Sequence, residues 1–446
     1  MNYIEKSKSL QIKKISGILK KMRYFLYFLI SVALGIGLFL FFGATKNIEL
    51  KQPAEILSGV FDFEAESSTN PPMLASQNSD IENQKPLAQS LPAGRQAPSE
   101  IKGIYATSWS AGSNRKIDEL INFIKKNNLN AIVIDVKDFS GYVAYDIKNP
   151  EVEKYAAKEI RIPKINSLIK KLHDENIYVI ARITIFQDPI LANARPDLAI
   201  HSKNKCQLSN VNCQMSSSTL WFDHKGLAWI DPAAKEAWNY NIAIAKDAAN
   251  RGFDEINFDY IRFASDGDLN DMIFPFWDGK TLKSHTIKLF FKYLREQLAA
   301  VKISADLFGL ATVNNDDLGI GQKIENAYAY FDYVCPMVYP SHYAKGFLGY
   351  KNPAQYPYEV IKYSMDSALK KLNNYEISVH GSSSIVYSSK LRPWIQDFDL
   401  GADYDAAMVK KEIQAVYDSV SSTPAALNGW MLWDPKNIYT RGALEE

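Results

Sequence analysis

From Ile101 onward, short β-branched apolar runs alternate with segments of helical periodicity, and this alternation constrains the fold more than any other feature of the chain. Strands are expected at residues 102–110, 131–138, 178–186, 255–263, 303–310, 333–340 and 429–433. The remaining strand, seventh in chain order, lies at 376–380 or 391–398, and the latter is preferred because it ends in carboxylates. Helical patterns at 116–126, 163–176, 232–251, 286–301, 322–330, 359–373 and 404–421 separate them. Eight strands alternating with helices over residues 101–446 predict an α/β fold, a (β/α)8 TIM barrel. An open doubly wound sheet is the alternative. It would carry a glycine-rich phosphate turn after its first strand. None is present: Gly319-Ile-Gly321 follows no clear strand, and there is no P-loop.

The stretch Glu255-Ile-Asn-Phe-Asp-Tyr-Ile-Arg-Phe263 carries a carboxylate, Asp259, where a buried strand should have none. Side chains alternate along a strand, so Asn257, Asp259 and Ile261 share one face. A buried carboxylate is costly unless it is paired or used. Near the carboxyl end of a barrel strand it would point into the mouth where barrel enzymes do chemistry. Other acids fall at matching places: Asp135 and Asp138 at strand two, Asp306 in strand five, Asp397 and Asp399 at strand seven, and Asp434 after strand eight. Converging on one mouth, they would repel one another unless cations, protons or substrate hydroxyls intervened.

Lys137, Arg182, His342 and Gln396 stand beside them, with aromatic residues Tyr105, Trp109, Tyr339, Trp394, Trp430 and Trp433. Acids with aromatics suit a sugar, whose apolar faces stack on rings while its hydroxyls bond to carboxylates. Glycoside hydrolysis needs one carboxylate at the anomeric carbon and a protonated one at the leaving oxygen. Asp259 is the expected nucleophile. Asp306 is preferred as the acid because Ser304, Asp306 and Phe308 share a face and strands four and five are neighbours. Asp135 is a rival for that role, and Asp397 a candidate transition-state stabiliser. Arg182 on strand three is placed to keep Asp259 ionised. Arg182, Tyr339, His342, Gln396, Trp109, Trp433, Asn257 and Lys137 are the candidate substrate-binding residues. Each acid has a structural reading too: an ion pair between Asp135 and Lys137, two residues apart on one face, accounts equally well for both.

With 51 Lys and Arg against 50 Asp and Glu, there is no global electrostatic case for a nucleic-acid partner. The six histidines lack zinc spacing. His380-Gly-Ser-Ser-Ser lacks the spacing of a nucleophile elbow. No loop motif argues for Ca²⁺ or Mg²⁺, so neither cofactor nor metal is expected.

Outside the barrel, residues 1–23 are basic and 24–43 run for 20 residues without a charge. At about 1.5 Å per residue this spans a bilayer core of roughly 30 Å. Lysines before the span place the N-terminus in the cytoplasm and the rest outside it. The run is long for a cleaved signal peptide and no Ala-x-Ala site follows, so an uncleaved membrane anchor is expected. Residues 44–100, rich in Pro, Ser, Asn and Gln, read as a flexible linker. Cys206 and Cys213, in a polar excursion on an oxidising side, could form a disulfide or remain thiols.

Six blocks occur in order: Lys102-Gly-Ile-Tyr-Ala-Thr, Ile134-Asp-Val-Lys-Asp, Ile180-Ala-Arg-Ile, Phe258-Asp-Tyr-Ile-Arg-Phe, Cys335-Pro-Met-Val-Tyr-Pro-Ser-His-Tyr and Arg392-Pro-Trp-Ile-Gln-Asp-Phe. The set resembles a bacterial family of glycoside hydrolases, often membrane-anchored or secreted, and covers residues 101–439. The resemblance implies a TIM barrel distantly similar to α-amylase-like glycosidases, with the strand-four nucleophile at Asp259 and the strand-seven stabiliser at Asp397. The α-amylase pattern has a Glu acid at strand five, where this chain has Asp306. The expectation is therefore a membrane-anchored, extracytoplasmic hydrolase of a polysaccharide. The alternatives are a catalytically silent barrel that binds envelope glycan and a carboxylate–metal hydrolase of another substrate.

Overall fold

The computed structural model describes residues 98–208, 215–381 and 389–444. Within them, eight parallel strands close into a barrel in sequence order: β1 (Ile101–Ala106), β2 (Ala131–Lys137), β3 (Tyr178–Thr184), β4 (Glu255–Asp259), β5 (Ile303–Phe308), β6 (Tyr333–Met337), β7 (Trp394–Gln396) and β8 (Gly429–Trp433). Helices α1 (Asn114–Lys126), α2 (Ile165–Asp174), α3 (Lys235–Asn250), α4 (Lys283–Gln297), α5 (Ile324–Tyr328), α6 (Pro357–His380) and α7 (Ala406–Ser419) follow β1 to β7 in turn. This is the expected (β/α)8 barrel.

Helix α1 shows how the sequence makes the outer layer. Ile117, Leu120, Ile121 and Ile124 recur at helical spacing and are buried on one stripe against the sheet. Ser113 caps its first turn by accepting from the Lys116 amide, and Lys125 and Lys126 sit where the helix dipole is negative. A second, inner cluster fills the barrel bore, with Ile101, Val133, Ile180, Trp394 and Met431 among its members.

Several boundaries differ from the sequence reading, each for a local reason. Strand β1 stops at Ala106, because Thr107 caps the short helix Ser108–Gly112 that carries Trp109. Strand β4 stops at Asp259, because Tyr260 takes a left-handed φ of 53° and turns the chain out of the sheet. Strand β7 has three residues instead of 391–398. Pro336 in β6 lacks an N–H for the ladder, so pairing is interrupted between an isolated bridge at Val334 and Leu391 and the β6–β7 pair at Met337 and Trp394. Residues 376–380 form the last turn of α6, which closes with the Gly381 amide donating to the Ile377 carbonyl.

Long loops follow β3 and β4. They are tied together where His201–Ser202 pairs antiparallel with Met272–Ile273. The basic stretch, the expected anchor at 24–43, the linker up to residue 97, and Cys213 with its pairing to Cys206 lie outside the described residues. Among the described residues no helix is long and apolar enough to cross a membrane.

Candidate active site

Polar side chains climb the barrel bore in layers. At the floor, Glu255 of β4 meets both guanidinium nitrogens of Arg392, and neither residue has solvent exposure. Tyr178 and Ser304 also donate to Glu255, which satisfies the buried carboxylate. One layer up, Asn257 donates to Ser304 Oγ at 3.0 Å and to Asp306 Oδ1 at 2.8 Å. Asp259 comes next on the same face of β4, at the carboxyl end of the strand.

Arg182 organises this upper layer. Its Nη1 lies 2.6 Å from Asp135, its Nη2 pairs with Asp259, and its Nε lies 3.6 Å from Asp306. Its guanidinium also faces the ring of Trp433 at 5.1 Å, and Trp433 stacks on Tyr105 at 3.9 Å. The Tyr105 hydroxyl donates to Asp135. Three buried carboxyls thus surround one cation, so full ionisation would leave excess negative charge in a low-dielectric bore.

Asp306 is a carboxyl inclined to keep its proton. Burial pushes its pKa up to about 7, with the Asp259 charge acting the same way; Arg182 and the hydrogen bonds from Asn257 and Trp394 oppose this. The Trp394 indole donates to Asp306 Oδ1 at 2.8 Å. Burial also raises Asp135, against Arg182 and Tyr105.

A cavity of about 480 Å³ opens above this layer. Asp259, Asp306, Arg182, Tyr339, His342 and Trp433, all expected site residues, line it. Tyr339 and His342 pack edge-to-face at 5.3 Å, and burial lowers the His342 pKa, with Lys225 adding to the effect. Gly309 also lines the cavity: a Cβ there would meet the Met337 carbonyl at 2.5 Å and the Tyr343 hydroxyl at 2.6 Å.

Six expected residues stand elsewhere. Asp135 lies behind Arg182, bonded to it and to Tyr105. Lys137 is not beside Asp135, because a register shift between them turns it outward to an ion pair with Asp188 at 2.8 Å, both without exposure. Asn257 is buried beneath Asp306. Gln396 is fully buried and spends its amide on the Ser341 N–H and the Phe398 carbonyl, so it braces the loop that carries His342. Asp397 accepts from the Thr440 amide and hydroxyl at 2.9 and 2.6 Å. Burial raises its pKa to about 6, but it does not line the cavity. Trp109 is 63% exposed, with Arg161 over its ring, away from the cavity.

The sequence reading missed Tyr260, Arg262, Lys225, Ser265 and Asp266, all of which line the cavity. Alternation put Tyr260 on the face opposite Asp259, and the left-handed turn brings it round instead. Arg262 belongs to one of the six blocks, and a charge in an apolar run was its signal. The others sit on loops with no periodic pattern.

Fold and site together define a parallel barrel whose mouth carries buried carboxyls around a shared cation. The chain belongs to the family described as "Putative glycosyl hydrolase domain", whose model matches residues 103–439. It is 35% identical to a hypothetical protein from Ruminiclostridium thermocellum ATCC 27405, covering 49% of this chain and 98% of that one, with a TM-score of 0.40. The glycoside hydrolase domain of PgaB (BpsB) from Bordetella bronchiseptica is 12% identical, covers 76% of this chain and 95% of its own, and gives a TM-score of 0.51; this likeness speaks to the fold. No curated protein matches the chain.

Proposed function

We propose that the barrel hydrolyses glycosidic bonds in a polysaccharide, with Asp259 as nucleophile and Asp306 as general acid and then base. The observation that carries this reading is the pairing of an Arg182-bound Asp259 with a neighbouring Asp306 whose pKa is raised to about 7. Glycoside hydrolysis requires one carboxyl at the anomeric carbon and a protonated one at the leaving oxygen. Asp259 attacks the anomeric carbon while Asp306 gives its proton to the departing oxygen. Asp306 then takes a proton from water, which cleaves the glycosyl ester and restores both groups.

Both carboxyls reach one guanidinium, which favours the close spacing of a retaining enzyme, about 5–5.5 Å, over the 6.5–9.5 Å of an inverting one. Asp135 holds Arg182 from behind, and Trp433 and Tyr339 supply ring faces for the sugar. The uncharged run at 24–43 after a basic stretch supports anchoring of this domain outside the cytoplasmic membrane, facing envelope or exogenous polysaccharide.

The test is a screen of the full chain against bacterial and plant polysaccharides, scoring new reducing ends, followed by NMR of the first anomer formed. Retained configuration is expected. An inverted product would remove the nucleophile role, and glycan binding without cleavage would make the barrel a scaffold.

A further inference from the structure

Arg262 has no part in the chemistry above, yet it lines the same cavity and is only 6% exposed. Its guanidinium lies among three rings, 4.5 Å from Phe308, 4.9 Å from Trp229 and 5.2 Å from Tyr260. Nη1 donates to the Phe263 carbonyl at 3.0 Å and to Ser265 Oγ at 3.1 Å. These partners are neutral, and the side chain forms no ion pair among the described residues.

The carboxylates that influence it are already engaged. Asp259 is held by Arg182 and the Tyr260 amide. Asp223 accepts from Gln187, Trp229 and the amides of Lys225 and Leu227. Asp266, at the rim, accepts from the His224 amide and Ser265. Burial dominates over all three and lowers the Arg262 pKa. Lys225 adds a second cation on the same cavity.

A desolvated guanidinium without a counter-ion is an unfavourable arrangement for a core, and cation–π contact offsets only part of the cost. Sugar hydroxyls would return little of the lost solvation. A carboxylate, matched to the planar guanidinium fork, would return most of it. The cavity lining is therefore bipolar, holding the Asp259 and Asp306 carboxyls together with the Arg262 and Lys225 cations.

We infer that the glycan is acidic: a carboxylate on a sugar bound in the cavity is recognised by Arg262, with Lys225 assisting at the rim. This deepens the hydrolase reading and rests on it for the identity of the ligand as glycan. Ring uronates and the lactyl ether of muramic acid are two sources of that carboxylate.

The experiment titrates the full chain carrying Asp259→Asn, which keeps the probes intact, with oligogalacturonate, oligomannuronate and peptide-free peptidoglycan strands. Each is paired with its carboxyl-reduced form. At least one acidic probe is expected to bind tenfold or more tighter than its neutral partner, and the arm that does so names the source. Adding Arg262→Gln should bring that pair to within about twofold, and Arg262→Lys should keep part of the difference. Equal binding of acidic and neutral forms in every pair, no binding of any acidic probe, or a preference that survives Arg262→Gln overturns the inference. The comparison within each pair needs no Arg262 variant, so a poorly folded variant does not remove the test. Carboxylate-dependent binding without cleavage by the parent chain would sink the hydrolase reading and leave the acidic subsite. Cleavage without that preference would do the reverse.

Discussion

Asp259 and Asp306 stand on adjacent strands of the barrel and face the same guanidinium, Nη2 of Arg182 pairing with the first and Nε lying 3.6 Å from the second. The shared cation keeps two buried carboxyls tolerable while leaving one of them inclined to hold a proton.

The pH dependence follows from that inclination. Asp306 acts as an acid only while protonated, so kcat/KM is expected to fall about tenfold per pH unit above about 7. Removing the Asp259 charge with Asp259→Asn should move the Asp306 titration to lower pH, as read by carboxyl NMR. An unchanged titration would mean that the two groups do not interact.

Asp306→Asn should separate activity from stability. Loss of the proton donor is expected to lower kcat by roughly 10²–10⁴. The folded-state pKa of Asp306 is raised above its unfolded value near 4, so its contribution to stability is fully present below about pH 4 and is lost as pH rises through about 7. The Tm of the variant relative to the parent should therefore improve from pH 5 to pH 8. A difference independent of pH would contradict the assignment.

Arg182→Ala should cost about 3–5 kcal/mol in denaturant unfolding at neutral pH, because it strands Asp135 and Asp259 without their cation. Part of that loss should return at low pH, where the carboxyls can protonate.

Asp397 decides between the α-amylase-like expectation and the structure. It holds Thr440 by two hydrogen bonds and does not line the cavity. Asp397→Asn is expected to lose about 1–2 kcal/mol of stability and less than tenfold in kcat. A hundredfold loss of kcat with normal stability would return Asp397 to the catalytic group.

Tyr260 stores backbone strain at φ 53°. Both Tyr260→Gly and Tyr260→Ala remove the ring. Because the left-handed region favours glycine, the glycine variant should be more stable by about 1 kcal/mol.

The barrel was legible because its signal is repeated: eight apolar strands at helix-separated intervals do not depend on any one boundary. Asp259, Asp306 and Arg182 were legible because charges in buried strands are anomalies. The failures came where a single residue breaks the period. The register shift after Asp135 turned Lys137 away, and the left-handed Tyr260 ended β4 and brought its own ring to the cavity. Gln396 and Asp397 sit at a strand end as expected, but loop contacts that no pattern encodes absorb their polar groups.

The central claim is that Asp259 attacks the sugar, and the most direct measurement compares the full chain with its Asp259→Asn variant on a polysaccharide the parent cleaves. Reducing ends are scored, with Tm as the control. The substitution keeps shape and hydrogen bonding while removing the charge, and a fall of several orders of magnitude at similar Tm is predicted. Activity within tenfold of the parent would contradict it and take Asp259 out of the chemistry.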